Sequence, residues 1–424
     1  MSNRKIRIDR GRDVMRLTYF VQYFPPEQAS GLHLVEDLLD GFIKHGWDVN
    51  LYTPSPTRGV TDSQRKEYAN KRIEKRYNGK LTIHRMRLYR EGRGFFSRAL
   101  RYVLFSFECF WKAVTVPADF IFTGSGPPTQ GIVVSIAKKL SREKKVIFNL
   151  QDIFPDSLVA SGICDKESKL MIIGRVMENF TYKNVDVIIT ITEDMQANVI
   201  SKGVDPEKVK VVRNWVDVNR VKPITEDNNR IYEEFKLEHG KFYVVYAGNL
   251  GKVQGVEVIL EAARLLEKQE RIHFVIFGNG SEEKYIKRQA EYLTNVSLFP
   301  LQPMDRVSEV YSLGSVSIIP CKSGTGGYGM PSKTWTIMAA GTAIIASFDL
   351  GGEMEKVIKD AKCGFCINAG DAEMLAMRIM ELYMNPQEVV MMGLNARKYV
   401  IEHASSKLAV QKYIEIIEDT IKNK

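Results

Sequence analysis

Cysteine is scarce in this 424-residue chain, and the five present (Cys109, Cys164, Cys321, Cys363, Cys366) are scattered. An odd number without framework spacing argues against a disulfide scaffold and for a reducing cytosol. Cys363 and Cys366 have the spacing of a redox pair, but no second pair completes a zinc site. They read as two small hydrophobes on a strand. No apolar run is long enough to span a bilayer, and no secretory hydrophobic segment is recognisable. Low-complexity stretches are missing too. Acidic residues fall short of basic ones, 51 against 60, leaving a formal net charge of +9. That balance suits nucleic acid, anionic membrane or phosphorylated substrates without choosing among them. No nucleic-acid module is recognisable, so nucleic acid is not expected as a partner.

What is present is the composition of a soluble globular protein, 44% hydrophobic and 26% charged, long enough for two or three domains. Residues 1 to 14 are polar and basic, an arm ahead of the fold or an extension before a start at Met15. Arg16 to Val21 reads as a buried strand. The helix after it has apolar residues at Leu34, Leu38, Leu39 and Phe42, and Trp47 to Tyr52 is the next strand. Strand–helix–strand units imply a parallel sheet. Residues 54 to 80 are polar and read as a loop or short helix.

Residues 85 to 113 interleave Arg85, Arg87, Arg90, Arg93, Arg98, Arg101 and Lys112 with Tyr89, Phe95, Phe96, Tyr102, Phe105, Phe107, Phe110 and Trp111. This is either an interfacial membrane patch or a core helix whose cations face solvent. Strands and helices then alternate to Val212. Thr192 is placed to cap a helix whose positive end suits Glu193 and Asp194. Apolar periodicity fades at 218 to 240, where a link is expected. A second alternating series begins at Phe242, and the tail, 405 to 424, is amphipathic.

The expected architecture is therefore α/β, with two Rossmann-like halves. In such sheets ligands sit beyond the carboxyl ends of the strands. Those ends carry Gly31, Gly124 to Pro128 and Asp152 in the first half. In the second they carry Gly248 to Gly251, Gly278 to Gly280, and Gly324 to Lys333. The last stretch dominates. Its glycines should bare backbone N–H groups, Pro331 suits a first helical turn, and Ser332 and Lys333 follow at the positive end of the helix. That pattern fits an anion, most often a phosphate.

The chain from Met15 onward resembles the glycosyltransferases of the two-Rossmann-domain GT-B fold. It is most similar to the retaining family 4 enzymes, in a branch of bacterial polysaccharide transferases typified by WbuB. The motifs are Pro25-Pro26 to Gly31, Gln151 to Asp156, Asn214 to Asp217, Tyr246 to Gly251, Gly278-Asn279-Gly280, and Met330-Pro331-Ser332-Lys333 running to Ala339-Ala340-Gly341. The resemblance implies an acceptor-binding domain over 15–217 plus 405–424, whose last helix crosses back, a link at 218–240, and a nucleotide-sugar domain over 241–404. It implies transfer with retention, needing neither metal nor cofactor. Three departures stand out. Tyr328 and Thr336 replace a pair of glutamates that touch the sugar and ribose. Asn249 and Gln254 replace the Arg and Lys that hold the diphosphate, and Gln151 replaces a His.

Breaking a sugar–diphosphate bond leaves negative charge on the β-phosphate, so fixed positive groups are needed there. Lys333 and the amides around Ser332 meet that need, and Lys252 is either a second cation or a solvated lysine. Gly248, Gly251 and Gly329 admit a close backbone approach. Asn249, Gly278, Asn279, Gly280, Gln302 and Thr336 complete the expected donor site. Asp152 either binds and deprotonates an acceptor hydroxyl or is a turn residue. Gly31, His33 and Ser125 are placed on the acceptor side, where His33 is alternatively structural. The resulting expectation is a UDP-sugar transferase, with an N-acetylated sugar passed to a lipid-linked saccharide for surface polysaccharide. The protein would be cytoplasmic and peripheral to the inner membrane through 85–113. Alternatives are a UDP-N-acetylglucosamine 2-epimerase-like enzyme and a non-catalytic GT-B scaffold.

Overall fold

The computed structural model describes residues 14–29, 31–88, 95–141, 144–160, 164–165, 167–326 and 329–422. The expected basic arm, Val14 apart, lies outside them, as do Tyr89, Arg90, Arg93 and Tyr328 and the side chains of Phe95, Phe96 and Arg98.

The first half begins with β1 (Arg16–Phe20), α1 (Leu32–Lys44), β2 (Asp48–Pro54), α2 (Asp62–Asn70), β3 (Ile73–Arg76) and β4 (Leu81–Met86). It continues through α3 (Phe95–Thr115), β5 (Phe120–Gly124), α4 (Gln130–Leu140), β6 (Lys145–Leu150), α5 (Asp156–Ala160) and α6 (Lys169–Asn184). It ends with β7 (Val187–Thr190), α7 (Glu193–Ser201) and β8 (Val209–Val211). The second half opens with α8 (Ile231–Glu234), β9 (Phe242–Asn249), α9 (Glu257–Leu265), β10 (Ile272–Asn279), α10 (Glu283–Ala290) and β11 (Val296–Phe299). Then come α11 (Val307–Leu313), β12 (Val316–Pro320), α12 (Lys333–Ala339), β13 (Ala343–Phe348), α13 (Glu353–Ala361) and β14 (Gly364–Asn368). Helices α14 (Ala372–Met384), α15 (Pro386–His403) and α16 (Ser406–Lys422) close the chain.

Among the described residues the strands form two sheets, ordered β3-β4-β2-β1-β5-β6-β7-β8 and β11-β10-β9-β12-β13-β14. All pairings are parallel except β3 with β4. Strands such as Phe242–Asn249 and Ile272–Asn279 are near-continuous runs of Val, Ile, Tyr and Phe, as a sheet covered on both faces requires. Strand order reverses at β1/β5 and at β9/β12, and each reversal opens a crevice at the carboxyl edge. The two Rossmann-like domains face each other across a cleft in the GT-B arrangement. The polar stretch 54 to 80 is more ordered than a loop. Thr61 and Gln64 form a reciprocal cap for α2, and β3 adds the antiparallel edge strand.

The segment 218–240 packs into the second domain rather than hanging free: Val221, Ile231 and Tyr232 are buried in its core. The chain crosses between domains twice, side by side. Val216 N–H donates to Ala404 O at 3.1 Å and Ser406 N–H to Val216 O at 3.0 Å. After the second crossing, α16 buries Ala409, Tyr413, Ile414 and Ile417 in the first domain's core. It packs closely on α1 at Gly41, where a Cβ would stand 2.1 Å from Val410 Cγ1. A mid-helix glycine costs about 1 kcal/mol in propensity, which this close packing offsets. Gly41→Ala is therefore expected to destabilise the chain by about 1–3 kcal/mol despite the better helix former. The urea midpoint should fall, and Val410→Ala in the same chain should restore much of it.

Candidate functional site

In the second domain, β9 lies between β10 and β12, so three glycine-bearing segments meet at one edge. Gly248 and Gly278 are in register, as are Asn249 and Asn279. The two turns are sewn together: Leu250 N–H donates to Asn279 O at 2.7 Å, and Glu282 N–H donates to Leu250 O at 2.8 Å. Gly248, Gly280 and Gly329 have φ of 152°, 155° and 156°, backbone that side chains rarely adopt. Around Gly329 a Cβ would meet nothing within 4 Å, so open space lies beside a bare backbone.

Lys333 starts α12, but its side chain does not reach into solvent. Its Nζ lies 4.2 Å from the centroid of the Tyr246 ring. A Cβ on Gly248 would stand 2.5 Å from it. The Nζ is buried and has no hydrogen-bond partner among the described residues. Burial pushes the amine down to about 7 from its ordinary 10.5. Tyr246 is itself fixed, its hydroxyl donating to Asn249 O at 2.7 Å. The result is an amine held in place without a counter-ion among the described residues, and an arriving anion would favour its charged form.

The glycine loop corrects one expectation. Its amides are not all bare: Gly324 N–H donates to Asp349 Oδ1 at 2.9 Å and Gly326 N–H to Asp349 Oδ2 at 2.7 Å. A carboxylate of the chain holds this part of the loop. What remains open is the later part, Gly329 to Lys333. Ser332 is exposed there and its side chain makes no capping bond.

Of the other expected donor-site residues, Lys252 is exposed on a short turn, and Gly255 in that turn lies against Cys321 O. Gly251 abuts the Asn249 side chain. Asn249 and Asn279 are exposed at the strand ends. Gln302 follows the edge strand β11, its amide donating to Pro300 O at 3.0 Å and accepting from Arg306 at 2.9 Å. Thr336 lies one turn after Lys333 on α12, half-buried.

In the first domain, Asp152 is exposed just beyond β6. Desolvation raises its carboxyl above the ordinary value, opposed by bonds from the Ser157 hydroxyl and Ile153 N–H. It borders a pocket with Ser125, Pro128, Phe154 and Tyr182. Ser125 Oγ accepts from Gln151 N–H at 3.2 Å. Gln151 is the centre of a half-buried chain of bonds: Asn214 donates to its carbonyl at 2.9 Å, and its amide donates to Asn149 Oδ1 at 3.0 Å. Tyr413 of α16 donates to the same Asn149 oxygen at 3.0 Å. Gly31 has φ 77° at the start of α1. His33 donates to the Trp215 backbone and its imidazole is lowered, first by burial and then by Arg220.

The edges also touch directly. Asp194 Oδ2 accepts from Glu353 N–H at 2.8 Å, so it caps α13 of the opposite domain. Arg213 donates to Glu353 at 2.6 Å and to Glu193 at 3.0 Å.

Two family models match in tandem: the glycosyl transferase 4-like domain over residues 33–215, and glycosyl transferases group 1 over residues 227–399. The chain is a glycosyltransferase of the GT-B fold, related to the family 4 enzymes. WbjE of Pseudomonas aeruginosa, named a probable glycosyltransferase, is 27% identical over 268 residues, 62% of this chain and 66% of its own length. WcaI of Escherichia coli K12, named for colanic acid biosynthesis, is 26% identical over 285 residues, 66% of this chain and 69% of its own. Two solved structures share the fold over nearly the whole chain. Sucrose-phosphate synthase of Thermosynechococcus elongatus has a TM-score of 0.73 at 14% identity, covering 97% of this chain and 100% of that one. Anabaena Alr3699/HepE in complex with UDP-glucose has a TM-score of 0.68 at 15% identity, covering 96% and 100%.

For a glycosyltransferase, the feature that sequence reasoning missed is the partnership of Lys333 with Tyr246. Tyr246 stands inside the Tyr246–Gly251 motif, and its alternation on β9 was the available signal. Asp349 and Arg213 were missed as well. Asp349 directly follows a strand, a common place for a loop-holding carboxylate, whereas nothing local marks Arg213 as a bridge between domains.

Proposed function

We propose that the chain transfers a sugar from UDP, with retention, to a lipid-linked saccharide during surface polysaccharide synthesis. The observation that carries this reading is the buried, unpartnered Lys333 amine beside three glycine turns. Such a group suits a diphosphate, which supplies the missing counter-ion as the glycosidic bond breaks. Lys333 steadies the β-phosphate. The backbone at Gly248, Gly251, Gly280 and Gly329 lets the diphosphate approach, with Ser332 and Lys252 at its rim. Asn249, Gly278, Asn279, Gln302 and Thr336 frame the nucleoside and sugar. Asp152, with a raised carboxyl, accepts the proton of the incoming hydroxyl. Gly31, His33 and Ser125 shape the acceptor side, and residues 85–113 contact the inner membrane. The UDP complexes of Anabaena Alr3699/HepE and the polysaccharide naming of WcaI support the choice of nucleotide and pathway. An N-acetylated sugar is the proposed substrate, on the resemblance to the WbuB-like branch.

Purified chain with saturating UDP should melt about 4–8 °C higher, and GDP should shift it less. No shift with any nucleoside diphosphate would overturn the reading. Asp152→Asn should lower kcat about a hundredfold while leaving the UDP shift intact.

A further inference from the structure

Helix α3 carries two apolar stripes. Phe105, Cys109 and Ala113 face the core. Leu100, Val103, Leu104, Phe107 and Trp111 face outward, with Phe107 and Trp111 more than half exposed. Its neighbours repeat the pattern. On α4, Ile136 and Leu140 are exposed; on α6, Ile172, Ile173 and Val176 are. The three helices form one layer on one face of the first sheet, with α4 packed against both others. Ser106 is hydrogen-bonded to Thr129 at 2.6 Å, and Gln130 donates to Cys109 Sγ at 3.4 Å, joining α3 to the start of α4. A Cβ on Gly131 would stand 2.3 Å from Thr181 Cγ2, so α4 and α6 touch closely. The outward residues therefore lie on the solvent side of one layer of helices. An exposed apolar surface of this extent marks an interaction site.

We propose that this α3–α4–α6 surface docks flat on an anionic lipid bilayer, with Ile172, Ile173 and Val176 inserting beside the acceptor edge. The inference rests on the membrane reading above and extends it from one helix to three. Charge selects the occupant. Among the described side chains of the three helices Lys139, Lys169 and Lys183 are exposed, whereas Glu108 is half-buried and Glu178 is buried against Arg175 and Lys202. A second copy would bring a like-charged face, whereas anionic headgroups complement it. No helix among the described residues is long and apolar enough to cross a membrane, so the contact is along a surface. The placement also has consequences for chemistry. Helix α6 rests on the loop just after Asp152: a Cβ on Gly174 would stand 2.6 Å from Pro155 Cβ. Docking this face brings the Asp152 edge to headgroup level, where a lipid-linked saccharide projects.

Sedimentation with vesicles tests this. The probe is an equimolar mixture of phosphatidylethanolamine and phosphatidylglycerol, with pure phosphatidylcholine for comparison. The wild-type chain should bind the anionic vesicles in a salt-sensitive way and the neutral ones weakly. Replacing Ile172, Ile173 and Val176 together by Ser should lower the partition coefficient about tenfold or more, as should Phe107→Ser with Trp111→Ser. The UDP-induced thermal shift of both variants should match the wild type, which verifies that they fold. If the α6 variant binds like the wild type while the α3 variant does not, the extension to α6 fails and the single-helix contact stands. If the wild type ignores anionic vesicles yet responds to UDP, docking fails and the transferase reading survives. A wild-type dimer that the α6 variant dissociates, without lipid binding, would assign the face to a second copy and overturn the proposal.

Discussion

Lys333→Met is expected to stabilise the ligand-free chain and to abolish transfer. An amine without a partner over an aromatic ring is costly to bury: relative to an apolar side chain, about 1–3 kcal/mol. Methionine fills the same channel and places a sulfur against the Tyr246 ring. The thermal midpoint should rise by about 2–4 °C. Transfer should fall about a thousandfold, the usual effect of losing a fixed group that meets developing charge. The pH dependence follows from the direction of the shift. Folding lowers the amine to about 7 from 10.5, so between those values the unfolded chain binds more protons. Wild-type stability should therefore rise with pH across that window, because the slope follows the proton difference. Below about pH 7 both states are charged, and the advantage of Lys333→Met should be largest there. Urea midpoints of both proteins from about pH 6 to about pH 10 would trace the difference. A variant that transfers at the wild-type rate would remove Lys333 from the chemistry. A variant less stable than the wild type would mean that the amine has a partner in the empty chain.

Much of this architecture is legible in the sequence because parallel sheets punctuate themselves. Runs such as Val187–Thr190 or Ala343–Phe348 are covered on both faces and so lack charged residues. Glycines then mark the turns at which ligands can approach, and Gly248, Gly280 and Gly329 all adopt backbone that demands glycine. What local pattern cannot show is where a long side chain goes. Lys333 at a helix start reads as a cation aimed outward. Only the pairing of β9 with β12 puts Tyr246 and Gly248 beneath it. Residues distant in sequence are hidden for the same reason. Asp349 is 23 residues from Gly326, whose amide it holds, and Asp194 is 159 residues from Glu353, whose helix it caps. The excess of aromatics on α3 was visible, but its outward stripe could not be separated from the core stripe until α4 and α6 were placed beside it.

The clamp between domains bears on motion. Asp194, Glu193 and Arg213 meet Glu353 and Lys356 at the mouth of the cleft. The paired crossings at Val216 and Ser405 lie between the same two bodies. Any opening of the cleft must turn about those crossings and release the Asp194 cap, so the clamp sets an energy difference between open and closed forms.

Two glycine substitutions in the donor edge should separate binding from folding. Gly248→Ala and Gly280→Ala impose similar backbone strain, with φ of 152° and 155°. What their new methyl groups meet differs. At Gly248 the nearest atom is Lys333 Nζ at 2.5 Å, the free end of a flexible side chain. It can move aside, and in doing so it leaves the channel over Tyr246. At Gly280 the obstacles include Leu250 O and Asn249 Oδ1, each at 2.5 Å, and the backbone carbonyl cannot yield without breaking the Glu282–Leu250 bond. Gly248→Ala should thus cost about 1–2 kcal/mol of stability, chiefly strain, yet lose the UDP thermal shift and about a hundredfold or more in kcat/KM. Gly280→Ala should cost about 3 kcal/mol or more, since steric overlap and a lost backbone hydrogen bond add to the same strain. Midpoints in urea with and without UDP distinguish the two. If Gly248→Ala kept full UDP binding, the diphosphate would not need the amine where the fold holds it. If both variants were equally unstable, the strain alone would decide, and the contact between Gly248 and Lys333 would carry no functional weight.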